Sequence, residues 1–403
     1  MLRSRSFLPV FATPAMKVKQ QPEDFQVEEL TDIVPADAGP FALYRLEKSG
    51  WTTHDALQAI CRRWKIEPRR IAYGGLKDRH AQTIQYVTIF HGPQRGLEHH
   101  DVIVRYLGRL KTPYTSRDIR ANRFRITLRS LTPAEIAAAQ QALAEVRIDG
   151  VPNYFDDQRF GSVGAESQFV ARSLVLGRYE EALRLALAEP YRYDRAPQKR
   201  GKEILRAHWR DWATCKALLA RGHTRSVVDY LVSHPEDFRG AVARLLPELR
   251  SLYLSAYQSY LWNRMLARAL TERCRPGQLM PINLRLGTVP MHRNLDDAQR
   301  AELAGLRLPL PSARLRLDPS DPRAALTNAV LAEEGFPLCE LRIRAFREPF
   351  FSKGDRSALA LPSRLASEMG EDERHPGKQK LILSFDLPRG SYATLIVKRI
   401  QMP

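Results

Sequence analysis

Apolar and polar positions alternate with a period of two near both ends of the chain, the signature of half-buried strands. Residues 123–129 are the clearest case. Phe124, Ile126 and Leu128 fall on one side, and Arg123, Arg125, Thr127 and Arg129 on the other. A sheet built this way covers a core with one face and is expected to offer its arginines to phosphates with the other. Related patterns predict strands over 17–30, with Phe25 and Val27 on one face, and over 41–46, 71–73, 83–90, 102–107, 380–387 and 392–400. A helical period takes over at 53–64, where Ala56, Leu57, Ile60, Cys61 and Trp64 share a stripe that Thr53 or Asp55 can cap. Thr132 and Glu135 have capping-box spacing with Pro133 at the first helical position, and Gly150 is placed to end that helix.

From about residue 165 the texture changes. Leu, Ala and Arg at helical spacing predict helices over 166–176, 179–188 and 252–270, with an irregular basic loop over 191–201 and short strands and turns over 281–319. Strand-rich ends around a helical block suggest a sheet domain interrupted by an insertion.

The charge balance adds a partner. Lys and Arg number 63 against 45 Asp and Glu, a net charge of +18. Such a surface draws polyanions, nucleic acid first, because neutralising phosphates releases counterions. The four cysteines, Cys61, Cys215, Cys274 and Cys339, lie far apart without a C-x-x-C pair, so neither a disulfide framework nor a zinc site is expected and a reducing compartment fits best. No apolar run approaches the ~18 residues that a membrane span requires. The first 16 residues carry Arg3 and Arg5 and no acid, but their short apolar stretch is interrupted by Pro9, and a ragged tail is expected.

Two segments could carry chemistry. In Gly74-Gly75-Leu76-Lys77-Asp78-Arg79-His80, two glycines after a strand permit a tight turn, and the cations beside Asp78 favour its charged form, as a nucleophile or base would need. An Asp in a glycine-rich turn more often simply closes the loop. In residues 153–161, Asn153, Tyr154, Phe155, Gln158 and Arg159 combine rings, amides and a guanidinium, the means by which proteins hold an unstacked base. Asp156 and Asp157 could instead begin a metal pair, although no other segment supplies the remaining ligands. No Walker loop and no G-x-S-x-G turn is present.

These segments resemble a known family. GGLKDRHAQT (74–83) is similar to the catalytic-aspartate motif of the TruD family of pseudouridine synthases, and NYFDDQRFG (153–161) to that family's N-Y-F-G-x-Q-R-F-G motif. KQQPEDFQVEEL (19–30), LSAYQSYLWNRML (254–266) and FDLPRGSYATLIVKR (385–399) resemble three further family segments, in the family's order. Asp156 stands where the motif has Gly, and Ala121 where a G-N-x-F segment has its Gly. The long interval between residue 161 and the S-A-Y-Q-S motif resembles the longer archaeal and eukaryotic branch.

The resemblance implies isomerisation of uridine to pseudouridine in RNA, at uridine 13 of tRNA, with no metal and no nucleotide cofactor. It implies catalytic roles for Asp78 and Lys19, and substrate contacts for Phe25, Asn153, Phe155 and Tyr392. It implies an α/β (α+β) pseudouridine synthase fold with a mixed, largely antiparallel central sheet. The catalytic domain would comprise 1–164 and 346–403, and a helix-rich TRUD insertion domain 165–345. A cytoplasmic monomer acting on tRNA or other structured RNA is expected. The rival readings are a non-catalytic RNA-binding protein and a metal-dependent RNA nuclease using Asp156 and Asp157.

Overall fold

Ten strands drawn from both ends of the chain share one sheet in the computed structural model, which describes residues 17–164, 166–191, 194–343 and 351–402. The ragged tail expected over residues 1–16 and the expected boundary at 345/346 lie outside the described residues. The chain divides into two compact units, residues 1–150 with 361–403, and residues 151–360. The predicted boundaries lay at 164/165 and 345/346, so the segment holding Asn153 and Phe155 belongs to the second unit.

In the first unit the strands are β1 (Lys17–Val18), β2 (Phe25–Leu30), β3 (Phe41–Ser49), β4 (Ile71–Tyr73), β5 (Gln82–Phe90), β6 (Leu97–His99), β7 (Val102–Leu110), β8 (Ala121–Leu131), β9 (Ser363–Glu371) and β10 (Gln379–Pro388). Their order is β9-β10-β8-β2-β5-β3-β7-β6, with β1 beside β8 and β4 beside β5. Only β2 and β5 run parallel; the sheet is mixed and largely antiparallel. Helix α1 (Thr53–Trp64) lays Ala56, Leu57 and Ile60 on Tyr44, Leu46, Val87, Ile89 and Val104. Its cap is Thr52, whose hydroxyl accepts from the Asp55 N–H, rather than Thr53 or Asp55. Helix α2 (Pro133–Asp149) has the predicted Thr132–Glu135 capping box and ends at Gly150 (φ 66°).

Three local predictions change. Residues 17–30 are not one strand, because a 3-10 turn, Pro22–Asp24, separates β1 from β2. Residues 392–400 form not a strand but helix α3 (Ala393–Ile400). Their β-branched content suggested a strand, yet Ala393, Ile396, Val397 and Ile400 recur at helical spacing and are buried. The arginine face of β8 is largely neutralised within the protein. Arg123 pairs with Asp386 and Arg125 with Glu368, while Arg129, 3% exposed, meets Asp24, Asp372 and Glu373.

The second unit is mainly helical. Its axis is one helix, Pro247–Arg273, longer than the predicted 252–270, with Leu254, Tyr257, Leu261, Trp262, Met265 and Ala269 buried at intervals of three and four. The expected loop over 191–201 gives way to a helix at Ala196–Ala207, anchored where the Lys202 ammonium meets Asp194 (2.8 Å) and lies over the Tyr191 ring. A further helix, Asp297–Gly305, interrupts the expected strands and turns of 281–319, and its Asp296–Gln299 capping box was a readable signal.

Candidate active site

The loop from Gly74 to Ala81 lies against the sheet face that Phe25, Val27 and Phe124 make apolar. Gly74 is required by close packing: a Cβ there would stand 2.6 Å from the Ile119 side chain. Neither Gly74 nor Gly75 has a positive φ, so close approach, not an unusual turn, accounts for Gly74. Four side chains of unusual polarity hold the loop. Lys48, 3% exposed, donates from Nζ to the carbonyls of Trp51 (2.7 Å), Asp78 (2.9 Å) and Lys77 (3.5 Å). Thr53 accepts from the Lys77 N–H (2.9 Å) and donates to Gln85, whose amide reaches the Gly75 carbonyl (3.3 Å). Glu29, fully buried, pairs with the Lys77 ammonium at 2.8 Å and accepts from the Tyr86 N–H and the Tyr114 hydroxyl.

The carboxylate of Asp78 emerges from this frame 38% exposed, with Oδ2 2.9 Å from Lys19 Nζ. The sequence neighbours expected to surround it go elsewhere. Lys77 turns to Glu29 and Asn122, Arg79 donates to the Gly50 carbonyl, and His80 is exposed. The partner cation comes instead from across the sheet. Lys19 sits in the left-handed region (φ 58°), a conformation that costs a side-chain-bearing residue about 1–2 kcal/mol, and its ammonium lies 3.8 Å from the Phe25 ring centroid. Phe25, 4% exposed, meets Phe124 edge-on, and Phe124 stacks on Phe385. The spacing of residues 19–29 thus becomes physical. Pro22 opens the turn, Asp24 anchors it on Arg129, Phe25 underlies Lys19, and Glu29 pins Lys77. Tyr392, half-buried, sits at the N-cap of α3.

Lys48 and Glu29 were missed by sequence reasoning, though both carried a signal: each is charged at an inward position of a strand whose other inward residues are apolar. Burial draws the Lys48 ammonium from its ordinary 10.5 down to about 8, against the opposing pull of Asp78. Below that pH the charged group grips the loop carbonyls; above it the proton leaves and the grip weakens. Turnover is therefore expected to fall as pH rises through about 8. Lys48→Met is expected to lower the single-turnover rate about 100-fold and to remove that limb of its pH profile.

In the second unit, the amide of Asn263 clamps the backbone of Phe155, accepting from its N–H and donating to its carbonyl, both at 2.8 Å. Trp262 meets the Phe155 ring edge-on and the Arg356 guanidinium lies 4.2 Å from its centroid. Two of the sequence motifs are therefore one packed object. Asn153 is buried, accepting from Arg356 at Oδ1 (2.6 Å) and donating from Nδ2 to the Ser357 carbonyl (3.1 Å). Asp156 is buried and Asp157 accepts from the Arg285 N–H. Among the described residues, no group of three or more His, Cys, Asp or Glu could hold a metal ion, and no helix is long and apolar enough to cross a membrane.

The mixed sheet with its helices is an α/β fold, and its likeness to a solved structure makes it one of the pseudouridine synthase type. A crystal structure of a Methanosarcina mazei protein described as "Putative tRNA pseudouridine synthase D (TruD)" superposes with a TM-score of 0.71 at 28% identity, covering 96% of this chain and 94% of that one. The model of the family "tRNA pseudouridine synthase D (TruD)" matches residues 12–400. A Methanosarcina mazei protein named "Probable tRNA pseudouridine synthase D" is 31% identical over 95% of this chain and 92% of its own. The tRNA pseudouridine synthase D of Leptospira interrogans is 28% identical over 96% of both. The chain belongs to the tRNA pseudouridine synthase D family, a family of isomerases.

Proposed function

We propose that the protein converts uridine to pseudouridine in tRNA, at uridine 13, with Asp78 as the reacting carboxylate. The observation that carries this reading is the Asp78–Lys19 pair at 2.9 Å, on a loop that buried Lys48, Thr53 and Glu29 hold from beneath. In the reaction the N1–C1′ bond breaks, the base turns, C5 bonds to C1′, and the proton lost from C5 is balanced by one gained at N1. Nothing is oxidised or transferred to a second molecule, so the chemistry demands no cofactor. Three first steps are open to the carboxylate: attack on the sugar, attack on the base, or removal of a sugar proton. Lys19 pairs with it and aims it. The target base must first leave its stack, at a cost of a few kcal/mol that pocket contacts offset. Phe25 and Tyr392 are the side chains of the first unit that we assign to contact it. Phe155 and Asn153 of the second unit we assign to RNA contact, which for Asn153 means exchanging a bond to Arg356 or Ser357 for one to the RNA. We read the first unit as the catalytic domain and the second as the insertion.

The test is direct. Unmodified tRNA transcript incubated with the protein in EDTA is expected to give a carbodiimide-dependent primer-extension stop at uridine 13. A stop elsewhere overturns the position, full-length RNA without any stop overturns the synthase reading, and chelator-sensitive cleavage would favour the nuclease.

A further inference from the structure

Three arginines that have no carboxylate partner among the described residues line one space. Beside the Asp78 loop, a cavity of about 610 Å3 holds Arg62 and Arg63 from the last turn of α1 and Arg79 from the loop itself. Its volume lies within the ~300–1,000 Å3 usual for ligand sites. Arg62 reaches only Gln58 (3.4 Å), Arg63 the imidazole of His99 (3.1 Å), and Arg79 the Gly50 carbonyl (3.1 Å). Among the described residues none of the three forms an ion pair, in contrast to Arg123, Arg125 and Arg129 of the sheet. One carboxylate, Asp55, also lines the cavity, so three guanidiniums face one opposing charge. The side chain of Trp51, half-buried and edge-on to His99, lines the same space.

Resting on the function proposed above, we propose that this cavity is an RNA phosphate subsite, taking the backbone beside the target uridine. Exposed guanidiniums without carboxylate partners, forked for bidentate contact, suit phosphodiester oxygens. The cavity adjoins the backbone of the reacting loop: Arg79 directly follows Asp78, and the Lys48 ammonium holds the carbonyls of both Asp78 and Trp51. Polar lining and an aromatic wall also suit a nucleotide better than a lipid or an apolar cofactor.

The experiment measures the affinity of tRNA transcript for the full-length protein across a salt series, a readout independent of turnover. The R62Q/R63Q double variant is expected to lower the slope of log affinity against log salt by about 1–2, each lost phosphate contact accounting for roughly 0.7–0.9, and to weaken binding at least tenfold near 0.1 M salt. R268Q, which removes an arginine paired with Glu272 and Glu333, should leave the slope unchanged. Asp55→Asn should tighten binding, a change in the opposite direction that misfolding cannot imitate. Equal slopes for R62Q/R63Q and wild type, an equal loss in R268Q, or no tightening in Asp55→Asn would overturn the subsite. Absence of pseudouridine with wild-type protein would overturn the function instead, so the two failures are distinguishable.

Discussion

Asp78→Asn is expected to abolish pseudouridine formation, with a rate loss on the order of 10^4–10^6, the scale seen when a reacting side chain is removed, while tRNA affinity is expected to stay within a few-fold of wild type. The amide matches the carboxylate in shape, and its oxygen can still accept from Lys19 Nζ, which lies 2.9 Å from Oδ2. What it loses is the negative charge, and with it any capacity to attack carbon or take a proton. Folding should hardly change. The pair is 23% and 38% exposed, and partly solvated ion pairs contribute only about 0–1 kcal/mol. The Asp78 carbonyl, which Lys48 holds at 2.9 Å, is unaltered by the substitution. Single-turnover primer extension and a parallel binding titration check both halves of the expectation. Near-normal conversion by the variant would remove Asp78 from the chemistry.

Arg129→Leu should be the most damaging substitution for stability, costing about 3–5 kcal/mol, because removing one partner strands buried charge. Against the roughly 5–15 kcal/mol that holds an ordinary domain together, that loss approaches unfolding. Arg129 ties together chain segments far apart in sequence: Asp24 in the turn beneath Lys19, and Asp372 and Glu373 between β9 and β10. Burial alone would raise the Asp372 carboxyl, but the N–H groups of Ser130 and Arg374 and the Arg129 guanidinium outweigh it and leave it below the ordinary range. Glu373 is held at about 2, foremost by Lys380 and then by Arg129 among others. Both folded values lie below the unfolded ones. Their contribution is therefore full above about pH 4.5 and fades as pH falls toward 2. In Arg129→Leu the sign reverses for Asp372. Buried without a cation, it takes up a proton more readily when folded, so the variant should melt at a higher temperature at pH 5 than at pH 7. Thermal melts at the two pH values decide it. A variant that melts like wild type, with the wild-type pH trend, would show that the cluster adds little.

The sequence carried much of this architecture, for a physical reason. Strands 41–46, 83–90 and 102–107 are readable as short apolar runs rich in β-branched and aromatic residues, which a buried sheet favours, and α2 declares itself through a cap whose donors and acceptors are all local. The segment at 392–400 misled because Thr394, Ile396 and Val397 favour strands intrinsically, whereas burial against the first unit's core selects the helix. The candidate site was legible where chemistry is local, at Asp78, and where the resemblance supplied a distant partner, at Lys19. It was not legible where partners meet only after folding. No spacing rule links Lys48 to the carbonyl of residue 78, or Asn263 to the backbone of Phe155. The arginines of β8 show the opposite error: a stripe of charge read as solvent-facing was already balanced by acids from the other end of the chain.

That arrangement has a consequence for biosynthesis. β8 needs β10 as its neighbour, yet the ribosome makes β10 only after the whole second unit has been synthesised. At ordinary elongation rates the delay is roughly ten to fifty seconds. Throughout it, the nascent chain presents an unsatisfied strand edge, an invitation to intermolecular pairing. A product terminated between residues 131 and 379 would keep the loop of Asp78 but lack the strand that completes the sheet. Premature stop codons should therefore yield aggregates or chaperone clients, not partial enzymes.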